Sequence, residues 1–173
     1  MSQSLVILNT GHGKGKTTAA LGQAFRALGH GFKVCFLQFI KGSWKYGELE
    51  AAKRFEDLME IHALGKGFTW QSENLNEDIQ LARNAWDFAK QAIRSGKFKM
   101  VVLDELTYLI TYGMVPEEDI LNTLRNRPPE LHIVITGRDA SPGLIELADL
   151  VTEMKEIKHP FQNGVKGQKG IEF

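Results

Sequence analysis

Short, continuously apolar runs alternate along this chain with longer stretches in which apolar residues recur every three or four positions. The run Leu5, Val6, Ile7, Leu8 has no polar alternation, as expected of a strand buried on both faces. Runs at 33–39, 59–64, 100–103 and 132–136 predict further buried strands, and 150–154 an edge-like sixth. Residues 16–28 predict a helix with Leu21, Phe25 and Leu28 on one face, ended by Gly29-His30-Gly31 as a glycine C-cap. The clearest helix follows Asn74: Ile79, Ala82, Trp86, Ala89 and Ile93 form one apolar stripe, closed by Ser95-Gly96. A shorter helix is predicted over 116–124, with Pro116 at its start and Pro128-Pro129 breaking the chain before the next strand. Strands alternating with helices predict an α/β fold with a mainly parallel central sheet flanked by helices. No repeat or linker divides the chain, so 1–173 is expected to be one domain, with the glycine-rich, polar 158–173 as a lid or mobile tail.

Composition narrows the function classes. Lys plus Arg and Asp plus Glu both number 21, so the formal net charge is zero. Such a chain has little general attraction to nucleic acid or anionic lipid, and an anionic ligand must be gripped by a local site. The single cysteine, Cys35, excludes an internal disulfide and lies in an apolar run, where a buried, inert thiol is expected. No apolar stretch is long enough to cross a bilayer and no signal-like region precedes the first strand, so a cytoplasmic protein is expected.

The first strand runs into Thr10-Gly11-His12-Gly13-Lys14-Gly15-Lys16-Thr17-Thr18. The phosphate-loop pattern G-x-x-x-x-G-K-[ST] is matched at its end by Gly15, Lys16 and Thr17, between a strand and a helix as the pattern requires. Its leading glycine is replaced by Thr10, but Gly11 and Gly13 offer the positive φ angles such a loop needs. Inward-turned backbone N–H groups and the helix N-terminus form an anion site. Lys16 supplies a point charge for phosphates, Lys14 adds to it, and the Thr17 hydroxyl is a candidate Mg²⁺ ligand.

A second segment agrees. Met100-Val101-Val102-Leu103-Asp104-Glu105 is an apolar strand ending in two carboxylates, and a hard cation needs such oxygens beside the phosphates. If the strand continues, Asp104 and Glu105 face opposite sides, and one of them reaches Mg²⁺ or its waters.

These segments, with Arg26-Ala27-Leu28-Gly29-His30-Gly31, Gln38-Phe39-Ile40-Lys41-Gly42-Ser43-Trp44, Gly67-Phe68-Thr69-Trp70, Ile135-Thr136-Gly137-Arg138 and Lys158-His159-Pro160-Phe161 followed by Gly164-Val165-Lys166, span almost the whole chain. Together they resemble the P-loop type of ATP:corrinoid adenosyltransferase, on a P-loop NTPase fold of the RecA-like kind. The resemblance implies that Co(I) of a corrinoid attacks the 5′ carbon of ATP and that triphosphate leaves. It implies ATP and corrinoid as substrates, Mg²⁺ with Thr17 and Glu105 on the metal side, and Arg26 and Arg138 as ATP-binding residues. Phe68 and Trp70 match aromatics that press on the lower corrinoid face and ease reduction of Co(II); read from the residues alone, they are loop anchors. A homodimer is implied, and a flavoprotein is one candidate electron donor. Some relatives carry a segment ahead of the first strand that covers the site; here only a few residues precede it, so that role is absent or falls to 158–173.

Competing readings of the loop and acids are a RecA-like ATPase using Glu105 to activate water, a nucleoside kinase, or a non-catalytic ATP-binding module. The five histidines show no zinc-ligand spacing. Trp44 is a corrinoid, nucleotide or dimer contact, and Trp86 is core.

Overall fold

The computed structural model describes residues 3–42, 46–67 and 75–172. Six strands form one parallel sheet: β1 (Val6–Thr10), β2 (Val34–Gln38), β3 (Met59–Ala63), β4 (Met100–Asp104), β5 (His132–Thr136) and β6 (Leu150–Glu153), in the spatial order β3-β2-β4-β5-β1-β6. Parallel neighbours need crossovers, which helices supply. The principal ones are α1 (Lys16–Leu28), α3 (Leu75–Arg94) and α5 (Glu117–Arg125). Three shorter helices, α2 (Gly47–Ala52), α4 (Thr107–Thr111) and α6 (Pro142–Leu147), have five or six residues each and so carry no readable period. The expected α/β architecture is present, and β5 stands between the phosphate-loop strand and the acidic strand. Among the described residues no helix is long and apolar enough to cross a membrane.

The sheet is coated on both faces. On one, Ala82, Ala85, Trp86, Ala89 and Ile93 of α3 pack with Cys35, Leu37, Val101, Leu103, Ile133 and Ile135. Trp86 is 1% exposed, and its Nε1 donates to Asp119 Oδ2 at 2.8 Å, tying α3 to α5. Cys35 is equally buried, and burial pushes its thiol up to about 12, so it is inert as expected.

On the other face α1 lies over Val34, Phe36, Met100, Val102 and Val134. Of its predicted face, Leu28 is buried and Leu21 packs against this cluster, but Phe25 is 65% exposed and meets Phe55 edge to face at 6.0 Å. Ala20, Ala24 and Ala27 complete the face toward the sheet. Alanines let α1 approach the sheet closely, and a bulky face would hold it away. The C-terminal turn also differs in detail. Gly29 stays right-handed, and the left-handed residue is Gly31 (φ 71°), with Phe32 N donating to Ala27 O.

The strands end in polar residues. Continuing Phe36, Val102 and Val134 two positions toward the carboxyl ends of β2, β4 and β5 gives Gln38, Asp104 and Thr136, on the same face because the strand period is two. All three are fully buried, beside the phosphate loop that opens α1.

Candidate active site

The loop from Thr10 to Lys16 takes its path from three glycines used differently. The positive φ angles expected at Gly11 and Gly13 fall instead at Gly11 (φ 92°) and Gly15 (φ 118°), so the expectation holds for Gly11 alone. At Gly13 the need is for space. A Cβ there would lie 2.7 Å from Met154 O and 2.8 Å from the Lys155 carbonyl carbon, because Gly13 N donates to Met154 O at 2.6 Å. The edge strand β6 and its continuation therefore buttress the loop from outside. Thr10, where the pattern has glycine, is the last residue of β1, and its Oγ1 accepts from Ala140 N at 3.3 Å.

Lys16 is 6% exposed, and its Nζ donates to Gly11 O at 2.7 Å and Gly13 O at 2.8 Å. Two of its three donors thus span the loop, leaving one for a phosphate oxygen. Burial lowers its pKa, as does Arg138, while Glu105, Asp104 and Asp139 oppose the shift. Lys14 reaches outward to Glu172 Oε2 at 2.5 Å, and His12 Nε2 lies 3.0 Å from Asp139 Oδ1. Thr18 is exposed on the first turn of α1.

The carboxylates come together differently from the expectation. β4 stops at Asp104, and Glu105 adopts a left-handed φ of 62°, so the alternation that would send the two side chains apart does not continue. Asp104 Oδ1 accepts from Thr17 Oγ1 at 2.8 Å and from Thr136 Oγ1 at 2.7 Å, and Thr136 Oγ1 also accepts from Glu105 N at 2.9 Å. Burial raises the Asp104 pKa against those two hydrogen bonds. Burial and the Asp104 charge raise Glu105 to about 6, with Lys16 and Arg138 opposing.

Asp104 Oδ2 and Glu105 Oε2 are buried without a hydrogen-bond partner, as are Gln38 Oε1 and Thr107 Oγ1. Unpaired buried carboxylate oxygens are costly and call for a cation. Among the described residues no cluster of three His, Cys, Asp or Glu side chains exists. A small oxygen-seeking ion that keeps waters and takes phosphate oxygens, such as Mg²⁺, therefore fits this donor set better than zinc.

The remaining predicted residues divide. Arg138 follows β5, exposed, and its charge acts on Lys16 and Glu105. Arg26 sits in the last turn of α1, ten residues and roughly 15 Å along the axis from Lys16, and within one chain is not brought to the loop. Phe68, Trp70 and Trp44 lie outside the described residues. Sequence reasoning assigned no role to Thr136, which links both acids, or to Gln38. The available signal was a polar residue closing each apolar strand.

A glycine-built phosphate cradle at the start of a helix, beside a buried acidic strand in a parallel sheet, defines a P-loop nucleotide-binding protein. The chain belongs to the family ATP:corrinoid adenosyltransferase BtuR/CobO/CobP, whose profile matches residues 2–173. It is 44% identical to a corrinoid adenosyltransferase of Sinorhizobium sp, over 99% of this chain and 81% of that protein. Identity is 43% to a Pseudomonas aeruginosa and 42% to an Escherichia coli K12 corrinoid adenosyltransferase, each over 99% of this chain and 84% and 86% of the relative.

Proposed function

We propose that this protein transfers the 5′-deoxyadenosyl group of ATP to Co(I) of a corrinoid and releases triphosphate. The observation that carries the reading is the pairing of family membership with a phosphate cradle facing partnerless buried carboxylate oxygens. A cobalt lone pair attacks C5′, the cobalt–carbon bond forms, the C5′–O bond breaks, and its electron pair leaves on the triphosphate. Charge thus grows on the bridging oxygen of the departing chain, where cationic and N–H donors lower the barrier most. Lys16 and the loop amides hold that chain, with Lys14 and Arg138 at its margin. Thr17, Asp104 and Glu105 hold Mg²⁺, which when bound neutralises triphosphate charge. Phe68 and Trp70 exclude water and an axial ligand from the lower corrinoid face. The contact of Glu172 with Lys14 supports the segment 158–173 as a cover over the nucleotide.

One observation favours a second reading. A carboxyl group at about 6 beside a phosphate loop suits a general base, which would make Glu105 an activator of water and the protein an ATPase. One anaerobic experiment separates the two: protein, MgATP and chemically reduced cob(I)alamin, with absorbance reporting the cobalt–carbon bond and triphosphate assayed alongside. Adenosylcobalamin with intact triphosphate supports the transferase. Phosphate release without corrinoid, and no alkylation, supports hydrolysis.

A further inference from the structure

Gln38 ends β2, is 0% exposed, and is in register with Asp104 of β4 on the face toward α1. A glutamine buried so completely should use both ends of its amide. Its Nε2 donates to Glu48 Oε1 at 3.3 Å. Glu48, from α2, also accepts from Lys41 Nζ, which lies 4.4 Å from the Tyr46 ring centroid. Burial would raise the Glu48 carboxyl, but the bonds from Lys41 and Gln38 hold it below its ordinary value, so it is an acceptor only. That fixes the amide: Nε2 must face Glu48, and Oε1 is turned elsewhere. Oε1 has no partner, and neither does Asp104 Oδ2 at the paired position on the next strand. Two orphaned acceptors on residues paired in register on neighbouring strands, one of them a carboxylate oxygen, both lack a donor, and a hydrated cation supplies positive charge and O–H groups.

We propose that Gln38 is a positioning residue of the metal–triphosphate site. Its Oε1 accepts a hydrogen bond from a water of the divalent cation held by Thr17, Asp104 and Glu105, while Glu48 and Lys41 lock the amide. This rests on the metal reading above. Gln38 touches no reacting atom; it orients the cation's shell, and through it the leaving triphosphate.

The test is an electron paramagnetic resonance titration of Mn²⁺ into the protein with ATP and no corrinoid, so the readout is metal binding and not turnover. Gln38→Met keeps length and removes the acceptor; it should weaken Mn²⁺ binding about tenfold, with ATP binding in EDTA changed by less than about twofold. Exchanging the partners as Gln38→Glu with Glu48→Gln preserves charge, donor and free acceptor, and should bring Mn²⁺ binding back to within about threefold of the wild type. Unchanged Mn²⁺ affinity in Gln38→Met overturns the proposal. Equal weakening of ATP binding in EDTA also overturns it, because Oε1 would then face a nucleotide hydroxyl. No ATP-dependent Mn²⁺ site in the wild type would instead overturn the metal reading itself. If Gln38→Met does not fold, the exchanged pair decides alone: loss of Mn²⁺ binding in a folded double variant is the contrary result.

Discussion

Glu105→Gln should make the nucleotide-free protein more stable while abolishing its activity. Glu105 carries a carboxyl group raised from its ordinary value of 4.5 to about 6 by burial and by the neighbouring Asp104 charge. A raised carboxyl pKa means that the folded chain holds this proton more tightly than the unfolded chain. Stability from this group is therefore present at low pH and lost as pH rises between about 4.5 and about 6, then stays level. The difference of about 1.5 units corresponds to about 2 kcal/mol at neutral pH, of which roughly 1 kcal/mol is lost between pH 5 and pH 7.5. Glutamine is close in shape and cannot ionise, so it avoids that loss. Urea unfolding of both proteins at the two pH values gives a double difference in which carboxylates not coupled to Glu105 cancel, leaving Glu105 and its partner Asp104. Glu48, Glu60 and Glu130, whose values are lowered, are among those that cancel. At pH 7.5 the variant should gain about 2 kcal/mol, or about 4–8 °C in Tm for a domain of this size. A variant no more stable than the wild type, with the same pH dependence, would refute the reasoning. The expected loss of activity rests on the proposed metal reading, in which the same carboxylate holds the cation.

Further expectations concern the cradle, the two aromatics proposed for the corrinoid face and the helix beside the cradle. Lys16→Ala should reduce turnover on chemically made Co(I) by at least about a hundredfold, as for removal of one transition-state donor, and normal product formation would sink the phosphate assignment. Phe68→Ala with Trp70→Ala should spare transfer to chemically made Co(I) and impair enzyme-assisted reduction of Co(II); equal loss in both assays would make these aromatics structural. Gly11→Ala combines a left-handed φ of 92° with a Cβ 2.5 Å from Met154 O, so it should cost about 2–4 kcal/mol in urea unfolding and weaken ATP binding in calorimetry. Gly22→Ala is the control: its Cβ meets nothing within 4 Å in the middle of α1, and it should add about 0.5–1 kcal/mol and leave activity unchanged.

The periodicity of the chain determined most of the architecture. The apolar runs of β1, β2, β4 and β5 marked strands buried on both faces, whereas 59–64, interrupted by Glu60 and His62, became the half-buried edge strand β3. The helical stripes between the runs made the sheet parallel. The spacing Gly15-Lys16-Thr17 after β1 and the acids closing and following β4 marked the phosphate loop and the proposed cation site, because local geometry alone makes a strand–loop–helix turn an anion site. Other features were set only by the assembled fold. Which face of α1 is buried depended on how near the sheet lies, so alanines displaced Phe25 from the core. Gly13 is required by Met154 and Lys155, which follow β6 and are distant in sequence, and no local rule reports that contact. The joint action of Asp104 and Glu105 depended on the strand ending at Asp104 with a left-handed residue after it, where sequence alternation would have separated them. Thr136 and Gln38 became site residues only when strand order set β5 and β2 on either side of β4. Sequence patterns carry chemistry that lies within one turn of the backbone. Chemistry shared between strands exists only after the sheet has chosen its neighbours.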